Sequence, residues 1–288
     1  MLVVGESWGA EDLQQTMAIA AARECRLVVV DADRGGADYV QRLCDVGGVV
    51  CALDDLAAYA FPCQLVVNGG VHARELPYRS SSGRTRFLLG PDYSILGEGF
   101  WDVPPRTIDE GLQNILVVLG GADPYRLMPD LLSVVDRLPG DFTITAVIGP
   151  FFENHVEVQA AAASAGHRVR LVDSPASLRE LMVEADVAIS AGGQTLYELA
   201  RVGCPTIAIR TASNQDGQIA AFTEAGFIRP VGHVDDRAML SNVDEALQSL
   251  TRDAQARTAM GAAGQRMVGG QGALRVAEAL VTAIGQGT

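Results

Sequence analysis

The sequence predicts two doubly wound α/β domains with parallel sheets, and three observations predict them. Short runs rich in Val, Ile and Leu alternate with helical patterns over nearly the whole length. The runs are apolar throughout instead of alternating with polar residues, as strands buried on both faces are. One stretch without periodicity, residues 100–109 (FWDVPPRTID), divides the runs into two series and reads as an interdomain linker. The 288 residues suit two domains better than one. The expected division is 1–104 and 105–288, with a cleft between the domains.

In the first domain, residues 27–30, 49–52, 65–67 and 87–89 read as strands. A strand over 1–4 and a helix over 11–23 precede them, and the helix carries Leu13, Met17, Ala20 and Ala21 on one face. In the second domain, residues 115–119, 143–148, 169–172, 187–189 and 206–209 read as strands.

Composition narrows the partners. Nearly half the chain is apolar, so a sizeable core is available, and the net charge of −13 argues against a nucleic-acid partner. A small anion needs only a few aimed N–H groups and is not excluded. The five cysteines show no CxxC spacing and an odd count, which reads as small buried hydrophobes in a cytoplasmic protein. No signal-peptide pattern and no apolar run of about 20 residues is seen. No metal-ligand spacing and no Ser-His-Asp signature is visible, so neither a metal nor another cofactor is expected.

In open parallel sheets ligands sit beyond the carboxyl ends of the strands. Those ends carry glycines and short polar residues: VNGG at 67–70, LGGADP at 119–124, VIGPFFEN at 147–154 and AGGQT at 191–195. Tandem glycines before a helix let the backbone approach a ligand and leave N–H groups aimed at it, where the helix dipole favours an anion. Thr195 adds a hydroxyl, and Glu198, three residues on along the same face, offers a carboxylate to a ribose or else only to solvent.

These residues resemble a known family. The segments ILVVLGGADP, LRELMVEADVAISAGGQTLYELARVGCPTIAI and SNQ are similar to the C-terminal half of the SpsG/PseG-type nucleotide-sugar hydrolases. LDDLAAYAFPCQLVVNGG, FLLGPDYSILGEGF and the closing GGQGALRVAEAL resemble other parts of that family, so the likeness runs from about Asp31 onward. The resemblance implies a MurG-related GT-B fold and cleavage of a UDP-linked diacetamido sugar on the way to pseudaminic acid. It implies that Gly192, Gly193, Gln194 and Thr195 bind the pyrophosphate and Glu198 the ribose. By the same resemblance Val172 and Asp173, with Leu171, meet the uracil edge, Gly120, Gly121 and Asp123 line the cleft, and Asn214 and Gln215 face the sugar. Asp55, Asn68 and Tyr93 match sugar-side positions of the N-terminal domain.

Departures from the family fall on the sugar side. The family's opening Gly-x-Gly-His loop, whose His is the favoured base, has no counterpart, so the N-terminal domain is expected to be truncated. An Arg and a Glu of the family pattern are replaced by Gly97 and Gly99, and its Asp-x-Tyr by Asp31-Ala32-Asp33. Among the remaining groups, His72 in NGGVHARELPY and the carboxylate of Asp55 are the candidate catalysts; His155 sits near the expected phosphate site, while His167 and His233 read as loop residues. Three functions stay open: a UDP-sugar hydrolase, a GT-B glycosyltransferase, and a nucleotide-binding subunit without catalysis. A homodimer or partner chain is expected to cover the N-terminal domain.

Overall fold

A computed structural model describes residues 9–31 and 35–286. They form two compact units, Met1–Ile95 with Gln271–Thr288, and Leu96–Gly270. The boundary falls at 95/96 where 104/105 was expected, and residues 271–286, expected in the second domain, belong to the first unit.

The first unit is a four-stranded parallel sheet in the order β1-β2-β4-β6: β1 Leu27–Asp31, β2 Val49–Leu53, β4 Leu65–Asn68 and β6 Arg86–Leu89. Two short strands, β3 Ala60–Phe61 and β5 Arg79–Ser80, pair beside it. Because side chains alternate across a strand, the sheet has two apolar faces to cover. Val30, Val50, Ala52 and Val66 pack with Tyr39, Val40 and Leu43 of α2 (Gly36–Cys44) and with Leu13 and Met17 of α1 (Ala10–Ala22). Leu13 and Met17 are thus partly buried and Ala20 buried within their own unit, while Ala21 on the same face stays exposed. The expected strand over 1–4 lies outside the described residues.

The opposite face, Val49, Cys51, Leu65, Val67 and Leu88, packs with Val276 and Ala279 of the helix Gly272–Gln286. This helix, α10 in chain order, was read from the sequence as the end of the second domain. Cys51, Cys63 and Cys204 are buried and Cys25 and Cys44 half-buried, all unbridged. Burial pushes the Cys51 thiol up to about 12 and the Cys63 thiol to about 11, as expected of packing residues.

The second unit holds six parallel strands: β7 Asn114–Val118, β8 Thr143–Ile148, β9 Arg168–Asp173, β10 Val187–Ala191, β11 Thr206–Arg210 and β12 Ile228–His233. Their spatial order is β12-β11-β10-β7-β8-β9. This is the doubly wound arrangement in which strand order reverses between the first and fourth strands, here β7 and β10. The helices α3 Met128–Asp136, α4 His155–Ser164 and α8 Met239–Arg252 bury Leu131, Val135, Val158, Val243 and Leu247 against Ile115, Val117, Ile144, Ile189 and Ile207. The helices α5 Arg179–Glu184, α6 Thr195–Val202 and α7 Asp216–Glu224 lie on the other face, and α9 Ala254–Met267 packs on α6.

The proline-rich stretch is strapped along this unit. Arg201 donates to the carbonyls of Phe100 (2.9 Å) and Trp101 (3.0 Å), and Gln265 donates to Pro104 O at 3.1 Å. Arg106 reaches the carbonyls of Met182, Val183 and Ala185 at the end of α5.

Candidate functional site

The reversal of strand order puts two glycine loops side by side at the carboxyl edge of the second sheet, one after β7 and one after β10. In the second, Gly192 donates to Ile209 O at 2.9 Å, and the next amide to find a backbone acceptor is that of Leu196, on Gly193 O at 3.1 Å. The amides of Gly193, Gln194 and Thr195 between them have no acceptor among the described residues. This is the set of orphan donors that a helix N-terminus leaves for an anion.

The loop is held shut from behind. A Cβ at position 192 would lie 2.7 Å from Ile219 Cδ1 and 2.9 Å from Gln215 Oε1, so any larger residue must push those side-chain ends aside. Gln218 of α7 donates to Gly192 O and accepts from the Tyr197 hydroxyl of α6 at 3.2 Å. Gly193 faces open space, leaving the front of the loop free for a ligand.

Glu198 is half-buried on the first turn of α6 with no hydrogen-bond partner among the described residues. Burial raises its carboxyl above the usual carboxylate range. An unpaired, partly desolvated acceptor one turn above three unpaired donors matches what a diphosphate joined to a diol presents.

The loop after β7 is locked to the loop after β8. A Cβ on Gly149 would fall 2.4 Å from Gly120 O and 2.5 Å from Gly121 O, and Phe151 N donates to Gly121 O at 2.9 Å. Asp123, expected to line the site, turns inward. It accepts from Leu127 N (2.8 Å) and Met128 N (3.0 Å) at the start of α3, and from Asn154 Nδ2 at 2.9 Å. Its carboxylate is thus occupied in capping a helix and fixing the β8 loop.

At the other expected positions, Asp173 closes β9 and accepts from the Ser174 hydroxyl at 2.8 Å, with Val172 half-buried beside it. Asn214 is exposed. Gln215 folds its Oε1 into its own turn, on Thr211 N at 2.8 Å, next to Gly192. Tyr125, Phe151 and Gln218 were not singled out from the sequence. Tyr125, on the β7 loop, donates to Thr211 O beyond β11 at 3.3 Å and so arches across the end of β10. Long-range partners of this kind leave no local sequence signal.

In the first unit, the carboxyl edge holds a half-buried polar cluster. Tyr78 donates to Asp54 Oδ1 at 2.7 Å and accepts from Asn68 Nδ2 at 2.9 Å; Asn68 Oδ1 accepts from Gly70 N at 2.7 Å. Asn68, 4% exposed, therefore braces strand ends. The carboxylate in the network is Asp54, while Asp55, the expected candidate, is exposed. Tyr93 packs into the core beneath α10. His72 follows β4, half-buried, and its Nδ1 has no partner. Of the remaining histidines, His167 stacks on Phe142 and contacts Asp136 at 3.0 Å, a brace between α3 and β9.

No protein-family model matches the chain. Spore coat polysaccharide biosynthesis protein SpsG of Bacillus subtilis is 28% identical over 200 residues, which cover 67% of this chain and 58% of SpsG. The Helicobacter pylori protein named pseudaminic acid cytidylyltransferase and UDP-2,4-diacetamido-2,4,6-trideoxy-beta-L-altropyranose hydrolase is 30% identical over 147 residues, 49% of this chain and 26% of that protein. The chain thus matches somewhat over half of the first relative and about a quarter of the second. Among solved structures, Acinetobacter baumannii MurG superposes with a TM-score of 0.70 at 14% identity, over 94% of this chain and 77% of MurG. The two parallel α/β units and this superposition define a protein of the GT-B fold. Within that class the chain is most similar in sequence to SpsG-type and pseudaminic acid pathway proteins.

Proposed function

We propose that the chain is an enzyme that holds a UDP-linked amino or deoxy sugar by its diphosphate and passes the sugar to water. The observation that carries this reading is the pairing of three unpaired amides, Gly193, Gln194 and Thr195, with the unpartnered carboxylate of Glu198 one turn along α6. In the proposal the amides and the helix dipole bind the pyrophosphate and stabilise the charge it gains as the sugar–phosphate bond breaks. Glu198 accepts from the ribose hydroxyls. His72 takes the proton of the attacking water through a ring nitrogen, with Asp55 as the other candidate. Asp54 braces the neighbouring turn, its Oδ1 accepting from Leu56 N, Ala57 N and the Tyr78 hydroxyl. The hydrolase named among the relatives supports this reading.

Calorimetry with UDP tests the binding half. Glu198→Ala is expected to weaken UDP more than tenfold, since a charge-assisted hydrogen bond is worth roughly 1.5–3 kcal/mol. Equal affinity in the two proteins removes Glu198 from the ribose. UDP release from UDP-diacetamido sugars tests the chemistry. Turnover is expected to be slow and to fall further in His72→Ala, while release that requires an added alcohol acceptor assigns the chain to glycosyl transfer instead.

A further inference from the structure

The β8 loop carries two adjacent phenylalanines with opposite fates: Phe152 is 5% exposed and Phe151 75%. Phe151 is not on a loose segment. Its amide is bound to Gly121 O at 2.9 Å, Phe152 N is bound to Gly149 O at 3.2 Å, Gly149 sits against the Gly120 and Gly121 carbonyls, and Asn154 is wholly buried on Asp123. The fold therefore fixes the backbone that carries this aromatic ring and leaves the ring's surface bare, at the cost of apolar area left in water. From the α6 N-terminus the ring is displaced by two strands, β10 to β7 to β8, or about 10 Å at the usual strand spacing. The base of a nucleoside diphosphate lies a comparable span from its phosphates. The end of β9, Val172 and Asp173, borders the same loop, with Ser174 N on Ile148 O at 2.9 Å, and offers backbone groups to a base edge.

Building on the function proposed above, we infer that Phe151 is the stacking platform for the ligand's nucleobase, so that this rim selects a nucleotide over a simple sugar phosphate. Stacking on an aromatic side chain tolerates any planar base, and the contacts at the end of β9 would then choose among bases.

Titration calorimetry of the purified chain with UDP and with inorganic pyrophosphate, on wild type, Phe151→Ala and Phe151→Trp, tests this. UDP affinity is expected to fall roughly five- to hundredfold in Phe151→Ala and to return in Phe151→Trp, with pyrophosphate affinity unchanged in all three. Equal UDP affinity in wild type and Phe151→Ala overturns the stacking role. Parallel loss of UDP and pyrophosphate in that variant also overturns it, by showing a role in holding the loop. So does a change in self-association on sedimentation without a change in UDP affinity, which marks the ring as a protein contact. A wild-type chain that binds neither probe overturns the nucleotide reading as well, which separates that failure from the failure of Phe151 alone.

Discussion

Glu198 carries a desolvation burden. Because burial raises its carboxyl, the folded chain holds that proton more tightly than the unfolded chain does. Its ionisation therefore costs stability as pH rises from the unfolded value through the folded one, and the cost is absent below both. Glu198→Gln is expected to raise Tm by about 1–3 °C near pH 7, with the gain vanishing near pH 4, while UDP affinity falls. Scanning calorimetry at the two pH values checks this, and identical shifts at both would count against it. Asp123 shows the limit of reading such positions from sequence. An aspartate two residues past a double glycine looks the same whether it meets a ligand or caps a helix, and its direction is set by Met128 and Asn154.

Among the elements, each expected strand within the described residues was legible in the sequence to within one or two residues, most plainly the central strands, where burial on both faces leaves a continuous apolar run. β12 was not legible: Ile228–His233 contains Pro230 and Gly232 and is half exposed, as an edge strand tolerates. The stretch over 100–109 was legible as irregular but not as anchored, because its partners Arg201, Gln265 and Arg257 lie far along the chain. Arg257 is wholly buried, with no carboxylate partner among the described residues. It donates to Leu250 O at the end of α8 (2.5 Å) and to Asp109 O and Glu110 O (2.7 and 2.9 Å). Arg257→Ala removes these donors and empties the place of a wholly buried side chain, and is expected to cost about 2–4 kcal/mol by urea denaturation. A loss below about 0.5 kcal/mol, the level of an ordinary surface change, would show that the clasp is dispensable.

At the scale of the molecule, the helix α10 decides how the chain is partitioned. Its apolar residues fit either unit by pattern alone, and only the bare face of Val49, Cys51, Leu65, Val67 and Leu88 shows which one needs it. Ending the chain at Gly270 is expected to uncover that face and bring the Cys51 thiol within reach of Ellman's reagent, a reaction lost again in Cys51→Ser. A truncated chain whose Cys51 stays protected would show that the sheet holds without its cover. The same arrangement reverses birth order and completion order on the ribosome. Every strand of the second unit is synthesised before the helix that finishes the first, so the earlier-made sheet waits, half clothed, while its successor can already fold. A nascent chain stalled in that interval presents an apolar sheet face to chaperones and to other nascent chains.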